Sequence, residues 1–345
     1  MKFDFVIGNP PFNEDRYEDS EQKNFAPPVY HLFMDEAYTI ADKVELIHPA
    51  RFLSNAGNTP RQWNQKMLND PHFKVLFYEE NGKKIFPNNE IKGGIAITYR
   101  DEKKDFGAVG IFTQFSELNS ILHKVHTDDF VSLSTIVITR TAYRLTDKMH
   151  EDHPEAINQL SAGHAHDMST NIFERLPQIF FKEKPNDGYD YIKILGREEN
   201  KRTYKYVRRE YVNKVQNLDM YKIFLPKAIG IGALGEVLSQ PTIANPGIGS
   251  TETFLSIGLF KNKNEVQAAL KYIKTKFARV LLSVLKTTQD NTPSKWKYVP
   301  LQDFTPSSDI DWNASIADID KQLYKKYHLS EEEITFIETK VKEME

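Results

Sequence analysis

An amide, two prolines and an aromatic ring follow one another at Asn9, Pro10, Pro11 and Phe12. The Asn9 side chain and the Pro10 backbone each offer a carbonyl acceptor, and Phe12 offers an aromatic face. Because the prolines fix φ and donate no N–H, this segment, which we call the ledge, is rigid and cannot continue a β-ladder. Two acceptors beside a stacking ring suit the exocyclic amino group of a flat base.

The element that must position the ledge is the short apolar run in front of it. Residues 3–8 are rich in β-forming side chains and close on Gly8, a pattern that predicts a buried strand of a parallel sheet. Ligands of α/β proteins bind at the carboxyl ends of such strands. We therefore expect the ledge to lie at the ligand-binding edge of a sheet.

Residues 5–12 as a whole resemble the catalytic motif of the amino-group DNA methyltransferases, specifically the N6-adenine class found in type II restriction–modification enzymes. The resemblance implies that Asn9, Pro10, Pro11 and Phe12 are catalytic and that the partner is double-stranded DNA. It also implies S-adenosylmethionine as the methyl donor, with Asn9 and Pro10 facing it. A strand that ends in a proline-rich turn without any chemistry is the alternative.

The position of the motif in the chain raises a second expectation. In this family the S-adenosylmethionine-binding strand and its glycine-rich turn precede the catalytic motif, whereas only Met1 and Lys2 precede residues 3–12 here. We therefore expect the main cofactor pocket to lie outside this chain, on an N-terminal cofactor-binding or nuclease polypeptide, and the isolated chain to be inactive or nearly so. The alternative is a non-catalytic DNA-binding or interaction module, either a truncated remnant or a subunit of a split enzyme.

Strand and helix patterns alternate after the ledge. Apolar periodicity predicts helices over residues 29–42 and 59–70, and strands over residues 44–53 and 73–78. Residues 85–99 predict a loop that enters a fourth strand, with residues 91–99 as its last part. Strand–helix–strand order favours a parallel sheet with a right-handed crossover. The predicted fold class is α/β, with a partial Rossmann-like methyltransferase sheet followed by a mixed α+β domain.

Two of these segments also resemble later motifs of the family. Residues 45–53 match the strand that ends beside the target-base pocket, and residues 86–98 match the loop and strand that carry paired glycines. The resemblance implies that Pro49, Phe52 and Phe86 form the pocket of a flipped base. A simple core or hairpin role for Phe86 is an equally good interpretation.

The character of the sequence changes near residue 105, where short two-period segments and many turns begin. We predict that residues 1–108 are the carboxyl-terminal half of the methyltransferase domain, that residues 109–308 form a DNA target-recognition domain, and that residues 309–345 form a helical tail. From residue 251 onward the chain resembles the recognition region of large type II restriction–modification enzymes.

Local signals in the second half are of unequal strength. Residues 264–286 have the clearest helical pattern, and residues 318–345 predict two short helices, the second with Ser330 as its N-cap. Two glycine-dense pieces, residues 229–235 and 245–251, look like phosphate cradles. A cofactor turn follows an apolar strand and opens a helix, whereas a strand pattern follows the second piece. We therefore predict no cofactor turn there.

The net charge of −3 hides a strong asymmetry along the chain. Residues 1–60 hold five basic and ten acidic side chains, and residues 309–345 hold five and ten, whereas residues 191–230 hold ten and four and residues 261–297 hold nine and two. Local positive charge is what contacts with phosphates require, although solvated faces are the simpler interpretation of each stretch alone. The candidate DNA-binding residues are Arg197, Lys201, Arg202, Lys205, Arg208, Arg209, Lys286, Lys295 and Lys297.

Composition excludes several other classes of site. The chain has no cysteine, so it has no disulfide, no thiolate metal site and no cysteine nucleophile, and a cytoplasmic location is expected. Two sets of residues could bind a metal, namely the histidine and aspartate residues of 164–167 and the set Asp187, Glu199 and Lys201, which has the outline of a nuclease site. A polar loop and a chance match in a charge-rich chain are the preferred interpretations, so no metal is predicted.

Overall fold

A four-stranded sheet in the order β1-β2-β4-β3 forms the centre of the first of two compact units, Met1–Asn119. The computed structural model describes residues 2–14, 27–54, 58–89, 91 and 93–344. The strands of the sheet are β1 (Phe3–Gly8), β2 (Ala41–Pro49), β3 (Phe73–Glu79) and β4 (Ile95–Asp101). The second unit is Ser120–Glu345. The functional boundaries expected at residues 108 and 308 stay predictions.

Strands β1 and β2 pair in parallel, with Val6 opposite Val44 and Gly8 opposite Leu46. Helix α1 (Tyr30–Ile40) connects them, as the strand–helix–strand pattern predicts. The predicted helix begins one residue too early and ends two residues too late, because Ala41 is already extended and buried while its N–H still bonds to the Ala37 carbonyl. The helix therefore passes into β2 without a loop.

The expectation of a parallel sheet is wrong for its other half. Strand β4 is antiparallel to both β2 and β3. Parallel neighbours need a long crossover, usually a helix. The connection from β3 to β4 contains a single 3₁₀ turn, Gly82–Lys84, among its described residues, so the chain returns as an antiparallel neighbour. The predicted strand over residues 44–53 likewise ends at Pro49, and Arg51–Ser54 is a 3₁₀ turn.

The core of the first unit lies where α1 and helix α2 (Arg61–Leu68) meet the sheet. Tyr30, Met34 and Ala37 are buried at helical spacing on α1, and Trp63 and Met67 are buried on α2. The burial of a strip of each helix is what stabilises such short helices in water. The remaining faces of β1 and α1 are exposed.

The second unit contains two further sheets, and the molecule is a mixed α/β structure with several small sheets. In a three-stranded sheet, β6 (Tyr191–Glu198) pairs with β7 (Lys201–Arg208) in an antiparallel hairpin and with β10 (Ile248–Ser250) in parallel. The second sheet has the order β5-β11-β8-β9 and is antiparallel. Its strands are β5 (Val137–Ile138), β8 (Tyr221–Pro226), β9 (Thr242–Ala244) and β11 (Phe254–Phe260).

The long helix expected over residues 264–286 is two helices, α6 (Lys263–Lys274) and α7 (Lys276–Ser283). Thr275 between them is extended, with ψ 151°, and its hydroxyl accepts a hydrogen bond from the Ala278 N–H. The buried Asp320 carboxylate accepts the N–H groups of Lys276 and Phe277. A carboxylate from elsewhere in the chain thus satisfies the first turn of α7 and fixes the break.

The predicted pair of tail helices is confirmed as α8 (Ile316–Lys326) and α9 (Glu331–Lys340). Ser330 caps α9, and Glu333 reaches back to the Ser330 N–H to complete a capping box. The other helices are α3 (Ser116–Val125), α4 (Asp147–Asp152) and α5 (Ile172–Arg175). In the part of the chain that the structure describes, no helix is both long enough and apolar enough to cross a membrane.

Candidate active site and nucleic-acid interface

The ledge lies directly after the carboxyl end of β1, as the sequence predicts. Asn9 and Pro11 are exposed, whereas the Pro10 ring is buried and anchors the segment. Just beyond, the Phe12 carbonyl accepts the Val29 N–H at 3.1 Å, in a short antiparallel contact that joins Asn13 to Pro28. The ledge is therefore fixed on both sides while the Asn9 amide faces solvent.

The structure brings the two predicted aromatic contacts together. The Phe12 and Phe86 rings lie with centroids 5.7 Å apart and planes at 85°, which is an edge-to-face contact. Phe86 is held by its own N–H, which donates to the Gly82 carbonyl at 2.8 Å, and by its carbonyl, which accepts the Asn89 N–H at 3.0 Å. Both rings are half-buried, so each keeps a surface beside the ledge.

Pro49 and Phe52 have different positions. Pro49 is half-buried at the carboxyl end of β2, the strand next to β1. Phe52 has no exposed surface, and its ring packs 4.9 Å from that of Trp63. A fully buried ring cannot stack on a base without rearrangement. The expected role of Phe52 as a pocket surface is therefore corrected to that of a residue in the core of the first unit.

Sequence reasoning missed His48, which lies in the same strand. Its ring is stacked on that of Tyr30 at 5.6 Å with planes at 3°. Its Nδ1–H donates to the Pro49 carbonyl at 3.1 Å, and its Nε2 accepts the Thr98 hydroxyl at 2.8 Å. Burial lowers the pKa of His48 to about 4, so the ring is neutral near pH 7. The available signal was its spacing, because His48 follows Val44 and Leu46 at alternate positions on the buried face of β2.

The paired glycines before β4 are required by close backbone approach. Gly94 has φ +82°, and a Cβ there would lie 2.6 Å from the Glu79 carbonyl oxygen. Its own carbonyl accepts the Ala50 N–H at 2.9 Å. Gly93 has φ +84°, and its Cβ would meet the Arg51 side chain at 2.4 Å. These glycines thus hold the segment after β2 against the start of β4, where Pro49 and Ile95 are opposite each other.

Two of the nine candidate DNA-binding cations are buried, and three more make contacts with other side chains or carbonyl groups of the protein. Lys205 is 6% exposed and paired with Glu198 at 2.7 Å, and Lys286 is buried and paired with Glu236. Arg209 contacts two aspartates, Arg208 lies 3.4 Å from the Tyr189 ring centroid, and Arg202 donates to Gln240 and Thr242. For Lys205 and Lys286 we correct the expectation of a phosphate contact, because burial removes them from the surface.

The other cations are more accessible. Arg197, Lys201 and Lys297 are exposed, and Lys295 is half-buried with its ammonium on the Leu285 carbonyl at 2.8 Å. Arg197 also donates to the Asn200 carbonyl at the turn between β6 and β7. These cations stay candidates for phosphate contacts.

One face of the β6–β7 hairpin combines cations with aromatic rings. Lys193 is opposite Tyr206 in the ladder, with its ammonium 5.0 Å from the ring centroid. Tyr204 is 39% exposed, and Arg197 is opposite Arg202 on the same face. Sequence reasoning included Arg197 and Arg202 but not Lys193. We call Lys193, Arg197, Arg202, Tyr204 and Tyr206 the hairpin face.

The two acidic clusters are held by internal contacts. His164 is 2.6 Å from Asp167, which also lies 3.3 Å from Arg144. The Asp187 carboxylate accepts the Tyr191 hydroxyl at 2.7 Å, and this hydrogen bond together with nearby Arg208 lowers its pKa. Within the described ranges, no group of three or more acidic or histidine side chains could hold a metal ion.

Part of the chain is similar to known methylases. Residues 1–86 match the family model described as Eco57I restriction-modification methylase. A curated relative from Mycoplasma pneumoniae, described as an uncharacterized adenine-specific methylase, is 32% identical over 96 residues, which are 28% of this chain and 22% of that protein. The resemblance predicted from residues 5–12 is thus confirmed for the first unit: it is similar to adenine methyltransferases of restriction–modification systems.

Two solved structures cover more of the chain at low identity. The type IIG restriction endonuclease BpuSI is 11% identical over 92% of this chain and 49% of its own, with a TM-score of 0.33. The type IIL restriction-modification enzyme MmeI, solved in complex with DNA, is 10% identical over 98% of this chain and 56% of its own, also with a TM-score of 0.33. The chain spans about half the length of these structures and about a fifth of the curated relative.

Proposed function

We propose that the chain is the catalytic and target-recognition part of a site-specific DNA adenine N6-methyltransferase of a restriction–modification enzyme, acting in the cytoplasm. The observation that carries the proposal is the ledge at the carboxyl end of β1, where Phe12 meets Phe86 edge to face. The match of residues 1–86 to a restriction-modification methylase supports it.

The chemistry assigned to the ledge is positioning. The N6 amino group of adenine is a poor nucleophile, because its lone pair is conjugated with the ring. Hydrogen bonds from its two hydrogens to the Asn9 side-chain oxygen and the Pro10 carbonyl favour a pyramidal nitrogen and free the lone pair. S-adenosylmethionine, when bound, supplies the electrophilic methyl group. The exposed Asn9 amide and the rigid prolines are suited to this task without a strong general base.

The aromatic pair is proposed to hold the base after it has left the duplex. Unstacking and unpairing cost a few kcal/mol, and stacking on aromatic side chains offsets part of that cost. Phe12 and Phe86 supply two half-buried rings next to the ledge. Pro49, half-buried at the carboxyl end of β2, is proposed to line the same pocket.

The residues present fit only the methyl end of S-adenosylmethionine. In the described part of the chain, no strand is followed by a glycine-rich turn that opens a helix, which is the usual cradle of such a nucleoside. Among the described residues, strand β1 has a partner on one side alone, and Phe3, Phe5 and Ile7 on it are exposed. We propose that this edge receives the strands of a cofactor-binding polypeptide, and that methylation by the chain alone is slow.

Target recognition is assigned to the second unit. The hairpin face presents cations and tyrosine rings, which suit phosphates and base edges. Lys201 and Lys297 are exposed cations available for the duplex backbone. Lys205 and Lys286, which are buried, are left out of this surface.

The experiment that tests the ledge does not require the cofactor pocket or the recognition sequence. The affinity of the full chain is measured by fluorescence anisotropy for duplexes that carry one unpaired adenine opposite an abasic site, one unpaired thymine, or no unpaired base. An unpaired base spares the unstacking cost, and thymine lacks the amino group that Asn9 and Pro10 are proposed to hold, so we expect the adenine duplex to bind about ten-fold more tightly than either control. Equal affinity for adenine and thymine would contradict the proposal.

A second candidate is a non-catalytic DNA-binding or interaction module. The exposed apolar stripe on β1, with Ile7 74% exposed, favours it, because such a stripe is typical of a protein contact. This candidate predicts DNA binding without any preference for unpaired adenine. The same three duplexes therefore distinguish the two.

A further inference from the structure

A large apolar side chain stands almost fully in water at the tip of a glycine-rich loop. Ile231 is 83% exposed, and Gly230 and Gly232 on either side have φ +57° and +88°. A single exposed isoleucine is ordinary on a protein surface. The unusual feature is how tightly the structure holds the loop that presents it.

The loop rises from a two-stranded ribbon. The Ile229 N–H donates to the Gln289 carbonyl at 2.8 Å, and the Asn291 N–H donates to the Lys227 carbonyl at 2.8 Å. Ala228 is opposite Asp290 in an antiparallel bridge. Residues 230–235 and residues 287–289, which we call the loop pair, are therefore fixed next to each other by their base.

A buried ion pair braces the loop pair from below. The Glu236 carboxylate accepts the N–H groups of Ile231 at 2.9 Å and Gly232 at 3.1 Å. Lys286 pairs with Glu236 and also donates to the Ile229 carbonyl at 2.7 Å and the Thr288 carbonyl at 3.2 Å. Because the Glu236 carboxylate already accepts these two N–H groups of the glycine loop, they are not free to bind a phosphate.

The two loops also touch directly. A Cβ at Gly232 would lie 2.2 Å from the Thr287 carbonyl carbon and 2.3 Å from the Thr288 nitrogen, so only glycine fits. Thr287, Thr288 and Gln289 are exposed beside it. Among the described residues, the side chains of Thr287 and Gln289 have no hydrogen-bond partner. One surface thus offers an apolar tip and unpaired hydroxyl and amide groups.

We propose that the loop pair enters a groove of duplex DNA, with Ile231 as an apolar contact at a base step and Gln289 as a reader of a base edge. This inference rests on the proposed function. Apolar wedges at base steps and bidentate contacts from glutamine to adenine are established devices of DNA recognition. A protein interface would require a broad apolar patch, whereas the tip is flanked by glycines and the adjoining loop is polar.

The experiment uses the full chain and 30-bp duplexes that the wild-type chain has enriched from a randomised pool. Ile231→Ser is compared with Ile157→Ser, because Ile157 is also exposed, at 52%, and lies in the same unit. We expect Ile231→Ser to weaken binding to the enriched duplex about ten-fold while binding to unselected duplex is unchanged, and Ile157→Ser to bind like the wild type. Enrichment repeated with Gln289→Ala is expected to lose preference at one base pair.

The outcomes separate this inference from the proposed function. If the wild-type chain enriches no sequence, target recognition by the chain fails and the inference falls with it. If it enriches a sequence that Ile231→Ser and Gln289→Ala bind as well as Ile157→Ser does, the loop pair is not a reader, and target recognition stands. Equal weakening on selected and unselected duplex would also overturn a base-specific contact.

Discussion

At the scale of single residues, the proposed stacking surface is supplied by Phe12 and Phe86, and the proposed hydrogen-bond acceptors are supplied by Asn9 and Pro10. The two rings meet edge to face and are half-buried, and Phe12 belongs to the same ledge as the exposed Asn9. The prolines between Asn9 and Phe12 restrict the backbone, so the distance between the amide and the rings depends little on thermal motion of the ledge. A substitution of either ring therefore removes stacking surface without moving the acceptors.

Phe86→Ala is expected to weaken binding of the unpaired-adenine duplex about ten-fold, since stacking of a base on an aromatic ring is worth about 1–3 kcal/mol. Phe86→Tyr keeps the ring and is expected to keep the affinity. Phe77→Ala, which removes an exposed ring on β3, serves as the matched control. Equal behaviour of Phe86→Ala and Phe77→Ala in the anisotropy assay would remove Phe86 from the pocket.

Two lysines of β7 should behave in opposite ways. Lys201 is exposed, whereas Lys205 is buried against Glu198 and the Phe173 ring. We expect Lys201→Ala to lower duplex affinity and to reduce the slope of log K against log salt by about 1. Lys205→Met should instead lower the melting temperature, because it leaves Glu198 without its partner. A reduced salt slope in a stably folded Lys205→Met variant would contradict this assignment.

At the scale of elements, β2, the strand that pairs with β1, contains a buried and neutral histidine. His48 is buried with its pKa lowered to about 4, whereas an unfolded histidine titrates near 6.5. Below pH 6.5 the histidine becomes protonated in the unfolded state but stays neutral in the folded state. The contribution of His48 to the free energy of unfolding is therefore fully present above pH 6.5 and falls as the pH decreases toward 4.

The expected loss is roughly 3 kcal/mol of unfolding free energy between pH 6.5 and 4, beyond the loss common to all variants. Denaturant unfolding of the wild type and His48→Gln at a series of pH values measures it as the difference between the two curves. His72→Gln, at a half-buried histidine of the same unit, is expected to follow the wild type. Parallel curves for the wild type and His48→Gln would show that His48 titrates normally.

Elements governed by local rules could be predicted from the sequence, and those governed by distant contacts could not. Ser330 and Glu333 cap α9 through their own neighbours, so the pattern was sufficient. The break at Thr275 depends on Asp320 reaching the first turn of α7, and the apolar period runs through it unchanged. Likewise, the motif identified Asn9 to Phe12, whereas the burial of Lys205, Lys286 and Phe52 depends on tertiary neighbours that composition does not reveal.

At the scale of the whole molecule, the exposed edge of β1 has consequences in solution. Phe3, Phe5 and Ile7 present apolar side chains beside a strand edge that no other described strand pairs with. Such an edge is a template for pairing with another chain. We expect the isolated chain to self-associate at micromolar concentration unless its cofactor-binding partner covers this strand.

Ile7→Lys is expected to shift the chain toward monomer in sedimentation velocity, because a charge on the exposed face opposes edge-to-edge pairing. Ile157→Lys, an equal change at an exposed site of the other unit, should leave the association unchanged. A wild-type chain that sediments as a stable monomer across this concentration range would contradict the proposed role of β1.

Adenine N6-methylation at the ledge is tested most directly in the source cell. Asn9→Ala is introduced at the chromosomal copy, and the modified bases of the genome are mapped. This experiment retains every other part of the enzyme in its native form. We expect N6-methyladenine to disappear from one recognition sequence in the Asn9→Ala strain, because Asn9 no longer holds the amino group. Asn69→Ala, at an exposed asparagine of the same unit, is expected to leave the map unchanged. N6-methyladenine that persists at every site in the Asn9→Ala strain would contradict it.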